Sequence, residues 1–108
     1  MNMQALTRRS EEVAELLKAM ANSNRLLILC EINGGERSVS ALESAIGLSQ
    51  SALSQHLAKL RETGIVATRR EAQTIFYSLA DRRVEDLMGK LHELFCAPGH
   101  SKTKRNNT

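Results

Sequence analysis

The chain has 108 residues, 42% apolar and 25% charged, which suits one domain with a modest core and leaves little room for a second. Its three aromatics, Phe76, Tyr77 and Phe95, argue against a base-stacking platform for single-stranded nucleic acid and against an aromatic-lined pocket, so no cofactor is expected. The net charge of +3 resides in Lys102, Lys104 and Arg105, and within the neutral remainder only residues 49–80 are basic, with Lys59, Arg61, Arg69 and Arg70 against Glu62 and Glu71.

The polar start, Met1 to Arg9, and the longest apolar run, Leu26 to Cys30, supply neither a signal segment nor a membrane span. A cytoplasmic protein with no membrane partner is expected. Two cysteines in such a chain fit a reducing compartment, with packed or reactive thiols rather than a structural disulfide.

Residues 1–9 read as a flexible lead. A first helix starts near Ser10, with Val13, Leu16, Leu17 and Met20 on one stripe. Asn22, Ser23 and Asn24 interrupt it and offer caps for a second helix, about Arg25 to Asn33, which is apolar nearly all round and therefore expected at the centre. Gly34-Gly35 ends it. A third helix runs from about Ser40 to Ile46 and stops at Gly47; Ser49 caps a fourth, Gln50 to Thr63, closed by Gly64.

Ile65 to Glu71 and Thr74 to Leu79 read as strands, joined through Ala72-Gln73 as a hairpin. Asp81 caps a last helix with the stripe Val84, Leu87, Met88, Leu91, Leu94 and Phe95, ended by Pro98-Gly99; residues 99–108 read as a disordered basic tail. A short helix, a glycine turn, a longer helix and a hairpin form a winged helix-turn-helix. The expected fold is mainly α (α+β), with five helices and a two-stranded β-wing over residues 10–98.

On the fourth helix Leu53, Leu57 and Leu60 form the stripe that docks on the core. Ser51, Gln55, Ala58, Lys59 and Glu62 lie opposite, with Ser54 on the flank. Small hydroxyls and an amide near the N-terminal end suit a major-groove helix: serine serves base edges or phosphate, glutamine bonds adenine bidentately, and Lys59 neutralises phosphate. A merely solvated face has the same look, and the neighbouring turn and wing favour DNA. His56, beside the leucine stripe, is either a packed histidine or a DNA contact. Arg69 and Arg70 are adjacent, so they point to opposite strand faces, and at least one is expected to face solvent and reach phosphate or a minor groove. The candidate DNA-binding residues are Gln50, Ser51, Ser54, Gln55, His56, Lys59, Arg69 and Arg70.

The run Ser49-Gln50-Ser51-Ala52-Leu53-Ser54-Gln55-His56-Leu57-Ala58-Lys59-Leu60, followed by Gly64-Ile65-Val66, resembles the recognition-helix signature of the ArsR/SmtB family of winged-helix repressors. Leu16-Leu17-Lys18-Ala19-Met20 and Arg25-Leu26-Leu27-Ile28-Leu29-Cys30 fit the same family, so the likeness spans roughly residues 10–96. The resemblance implies a bacterial homodimer joined through its first and last helices. It also implies binding to double-stranded operator DNA, expected as an imperfect palindrome, with release by an inducer.

Metal-sensing relatives set spacings that can be tested here. Where the arsenic/cadmium type has a Cys-Val-Cys run, this chain reads Ser38-Val39-Ser40, without a thiol. Where the zinc/nickel type has an Asp-x-His pair, it reads Asp86-Leu87-Met88, and His92 stands alone. His92, Cys96 and His100 would supply three zinc ligands only if the Pro98-Gly99 segment folded back, so no metal site is expected.

From the residues alone, Cys30 is either a small buried hydrophobe or a reactive thiol. Cys96 lies off its helix's apolar stripe, one turn after His92; an imidazolium there favours the thiolate while the helix dipole opposes it. A thiol enzyme or sulfur carrier, with Cys96 as nucleophile and His92 as base, is the rival class, but nothing visibly orients His92 and no Gly-rich loop accompanies it. The resemblance changes the weighting. A cysteine ending the second helix and another ending the last, with the runs Glu71 to Tyr77 and Leu94-Phe95-Cys96, are similar to the persulfide-sensing dithiol branch of the family. That likeness implies that Cys30 and Cys96 are sensor thiols, linked by reactive sulfur species through a disulfide or polysulfide that lowers DNA affinity. A general thiol-redox or metal-responsive regulator is the alternative within the same class.

Overall fold

In the computed structural model, which describes residues 2–96, the chain opens with helix α1, Met3–Arg8, started by Asn2, whose Oδ1 accepts from the Ala5 N–H. This helix lies within the stretch expected to be a flexible lead; its signal in the sequence is one short cap. Helix α2, Ser10–Met20, follows with Glu11 and Glu12 in its first turn, where they complement the helix dipole. Asn22 then starts helix α3, Ser23–Asn33, accepting from the backbone N–H groups of Asn24 and Arg25. The expected tail, 99–108, and the Pro98-Gly99 stop lie outside the described residues.

After Gly34-Gly35 comes a two-residue strand β1, Arg37–Ser38, and then helix α4, Val39–Ile46, capped by Ser38. Gly47 takes φ 81°, which a side chain rarely tolerates, and so makes the tight turn into helix α5, Gln50–Glu62, capped by Ser49. Strands β2, Val66–Glu71, and β3, Thr74–Leu79, form the hairpin, and helix α6, Arg82–Phe95, closes the described chain behind the Asp81 cap. The fold is a winged helix-turn-helix with six helices among the described residues where five were expected. Its sheet has three strands in the order β1-β3-β2 rather than two, all antiparallel, with Arg37 opposite Tyr77 and Ser38 opposite Phe76. Two residues are too few to show alternation, so β1 leaves no pattern to read.

Ile28, Leu29 and Ile32 of α3 meet Leu42 of α4, Leu53, Leu57 and Leu60 of α5, and Val84 and Met88 of α6 in one core, with Ala19, Met20, Ile65 and Val66. Each fully buried large aliphatic side chain contributes roughly 1.5–3 kcal/mol by leaving water. Helix α3 is not enclosed all round, as its composition suggested: Leu27 is half exposed and Cys30 is exposed. An all-apolar helix gives no period from which to tell which side is left open. Outside the core, Arg83 ties α6 to α2, with Nη1 2.8 Å from Glu12 and Nη2 2.7 Å from Asp81. Arg9 reaches the same Glu12 at 2.9 Å, and hydrogen bonds from Arg9 and Arg83 hold the Glu12 carboxyl down at about 2.

Candidate nucleic-acid interface and thiol pair

Helix α5 docks through Leu53, Leu57 and Leu60, none more than 2% exposed, so its opposite side must face outward. Gln50, Ser51, Ser54, Gln55 and Lys59 are all exposed there, and Lys59 has only a loose contact to Glu62 at 3.9 Å. His56 is half-buried at the edge of the docked face, with Nδ1 3.4 Å from Nη1 of Arg25. The same guanidinium donates through Nε to the Ala19 carbonyl and reaches the Lys18 carbonyl with Nη2. Arg25 therefore joins the end of α2, the start of α3 and the side of α5. Sequence reading did not single it out, because its partners lie far along the chain.

The hairpin register settles how the wing arginines divide. Val66 pairs Leu79, Thr68 pairs Tyr77 and Arg70 pairs Ile75, so Arg70 shares a face with Ile75 and Tyr77. Ile75 and Tyr77, with Ser38, Ser40, Glu43, Gln50, Ser54, Gln73 and Thr74, line a cleft of about 430 Å³ between α4, α5 and the wing. Arg70 is exposed and has no ionic partner among the described residues. Arg69 lies on the other face. Its Nη2 and Nε donate to the two oxygens of Glu36 at 2.6 and 3.2 Å, its Nη1 donates to Glu71 at 2.8 Å, and its guanidinium carbon sits 4.6 Å from the centroid of Phe76. These hydrogen bonds raise the Arg69 pKa and hold the Glu36 carboxyl below its ordinary value. Of the two wing arginines placed together by sequence, the structure leaves one open and ties the other down.

Cys30 and Cys96 are both free and exposed, on α3 and at the C-cap of α6, two helices that pack together. Partial burial is the main influence raising the Cys30 thiol pKa. The charges of Cys96 and Glu31 raise it further. Among the described residues no group of three or more His, Cys, Asp or Glu stands together as a metal site; His100 lies outside them.

Residues 22–68 match the family model for bacterial regulatory proteins of the arsR family. The transcriptional activator HlyU of Vibrio cholerae is 52% identical over 96 residues, covering 89% of each chain. The biofilm growth-associated repressor of Agrobacterium fabrum is 48% identical over 94 residues, covering 87% of this chain and 80% of its own. The crystal structure of the transcriptional repressor BigR from Xylella fastidiosa superposes with a TM-score of 0.84 at 43% identity, covering 90% of this chain and 99% of that one.

Proposed function

The chain belongs to the ArsR family of bacterial transcriptional regulators, on the branch similar to HlyU and BigR, and from that premise we propose that it is a dimeric repressor whose DNA affinity is switched by sulfur chemistry at Cys30 and Cys96. Members of this family bind operator DNA and are not enzymes. No helix among the described residues is long and apolar enough to cross a membrane, and the proposed site of action is the cytoplasm. The dimer reading is supported by large apolar side chains left in water: Met3 and Leu6 on α1, Leu17 on α2, Leu27 on α3, and Leu94 and Phe95 at the end of α6. A second copy joined through the terminal helices would cover such residues and set two α5 helices about 34 Å apart, one helical turn of an imperfect palindrome. Gln50, Ser51, Ser54, Gln55 and Lys59 then face the groove, with Arg70 from the wing; His56 serves as a packed partner of Arg25.

The observation that carries the switch is the pair of exposed free thiols on two helices that pack together. The inducer is an organic persulfide, RSSH. A cysteine thiolate attacks its outer sulfur and takes it, releasing the thiolate RS⁻ and leaving a protein persulfide. Attack on that persulfide by the second cysteine forms the disulfide and releases hydrosulfide. Alternatively, two protein persulfides condense to a trisulfide and release one H₂S. A disulfide requires Cα atoms within about 7 Å, whereas an added sulfur relaxes that limit. Either bridge ties α3 to α6, so the dimer-forming helix shifts and the two α5 helices no longer match a fixed half-site spacing.

Selection of binding sites from random duplex DNA tests the reading, with the reduced protein and its Cys30→Ser and Cys96→Ser forms. All three should enrich one imperfect palindrome, and persulfide should release only the wild type. Release of the Cys96→Ser protein, or enrichment of no sequence, would contradict it.

A further inference from the structure

We propose that the two wing arginines have different tasks: Arg70 carries charge to the DNA, and Arg69 is a positioning residue that sets the pose of the wing through Glu36. The inference rests on the DNA-binding reading and adds a division of labour that the sequence does not show. A two-stranded hairpin is marginal alone; the inner face of this one packs on the core through Val66, Tyr77 and Leu79, while β1 adds only two residues at the edge of β3. Arg69 supplies a further anchor. Its fork grips both oxygens of Glu36, which lies 33 residues earlier, between α3 and β1. The cross-strand partner Phe76 lies under the guanidinium, and Glu71 takes the remaining nitrogen.

All three guanidinium nitrogens are thus engaged, and two carboxylates stand against one positive charge. For Arg69 to meet a phosphate it would have to leave both partners and turn from the outer face of the hairpin. Arg70 has neither constraint. It shares the face of Ile75 and Tyr77, which line the cleft beside α5, and its charge is unopposed among the described residues. Only arginine can make the paired contact that Glu36 receives, because a lysine offers a point charge without the planar fork.

The test is operator affinity as a function of salt for full-length Arg70→Ala, Arg69→Ala, Arg69→Lys, Glu36→Gln and the exchanged pair Glu36→Arg with Arg69→Glu, each checked for helical content. Arg70→Ala should lower the log–log salt slope by about 0.9 per protomer, the loss of one phosphate contact. Arg69→Ala, Arg69→Lys and Glu36→Gln should each weaken binding severalfold with the slope unchanged, and the exchanged pair should recover most of that loss. A direct phosphate contact by Arg69 predicts the reverse: Arg69→Ala lowers the slope, Arg69→Lys binds normally, and Glu36→Gln binds as well as or better than the wild type. Any of those results overturns the proposal, as does an exchanged pair that binds no better than Arg69→Ala.

Discussion

Replacing Gln55 by alanine separates a base contact from the folding of the helix that presents it. Gln55 is exposed and its side chain has no hydrogen-bond partner among the described residues, while α5 is held by Leu53, Leu57 and Leu60 on its other side. Alanine is the better helix former, so unfolding free energy should stay within about 0.5 kcal/mol of wild type. A glutamine amide bonded bidentately to adenine discriminates by roughly 1–3 kcal/mol. In a symmetric dimer the contact is lost twice, so the cost is roughly 2–6 kcal/mol, which converts to a loss of about thirtyfold to about twenty-thousandfold. Fluorescence anisotropy of a labelled operator, titrated at several salt concentrations, reads both affinity and slope. The slope should not move, because an amide on a base edge displaces no counterion. Wild-type affinity in the Gln55→Ala protein, or a loss accompanied by a shallower slope, would refute the assignment of this face.

Leu57→Ala should cost about 2–5 kcal/mol in urea unfolding, since a side chain 2% exposed leaves a cavity under α5; a loss below 1 kcal/mol would mean the helix docks differently. At the wing tip Ala72 has φ 57°, a left-handed conformation that costs a non-glycine residue about 1–2 kcal/mol, so Ala72→Gly should raise the melting temperature. Lower stability in that variant would contradict the strain. Glu12 is held at about 2, below its unfolded value, so the tie it makes between α2 and α6 is fully present above the ordinary carboxylate range and is lost as pH falls toward 2. Glu12→Gln should therefore lower the melting temperature slightly at neutral pH and converge on wild type near pH 2; parallel curves would show that the carboxylate is not the group involved.

The helices that carry the interface were legible because their signals are local. The leucine spacing of α5, the Ser49 cap and the glycine at 47 lie within a few residues of one another, and the wheel drawn from them puts Gln55 outside and Leu57 inside, as the structure does. Features built from remote pairs left no such trace. Arg25 meets His56 across 31 positions and Arg69 meets Glu36 across 33, and no periodicity encodes either contact. Strand alternation did say that Arg69 and Arg70 part company, but which of them is tied depended on a carboxylate in another segment. The packing of α3, which carries Cys30, against α6, which ends at Cys96, was likewise implied only by family resemblance, since 66 positions separate the two cysteines in sequence. The open side of α3 escaped notice for the opposite reason: with apolar residues on every side, the exposed Leu27 looks the same as the buried Ile28.

Intact mass and operator affinity, measured on one sample of the dimer treated with an organic persulfide, test the central claim most directly. The account predicts a monomer-mass species with Cys30 and Cys96 joined, either two hydrogens lighter or carrying added sulfur. Its affinity should be about a hundredfold lower, which requires a coupling free energy of about 2.7 kcal/mol between bridge and operator. An internally bridged protein that binds its operator as tightly as the reduced form, or release accompanied solely by links between protomers, would contradict it.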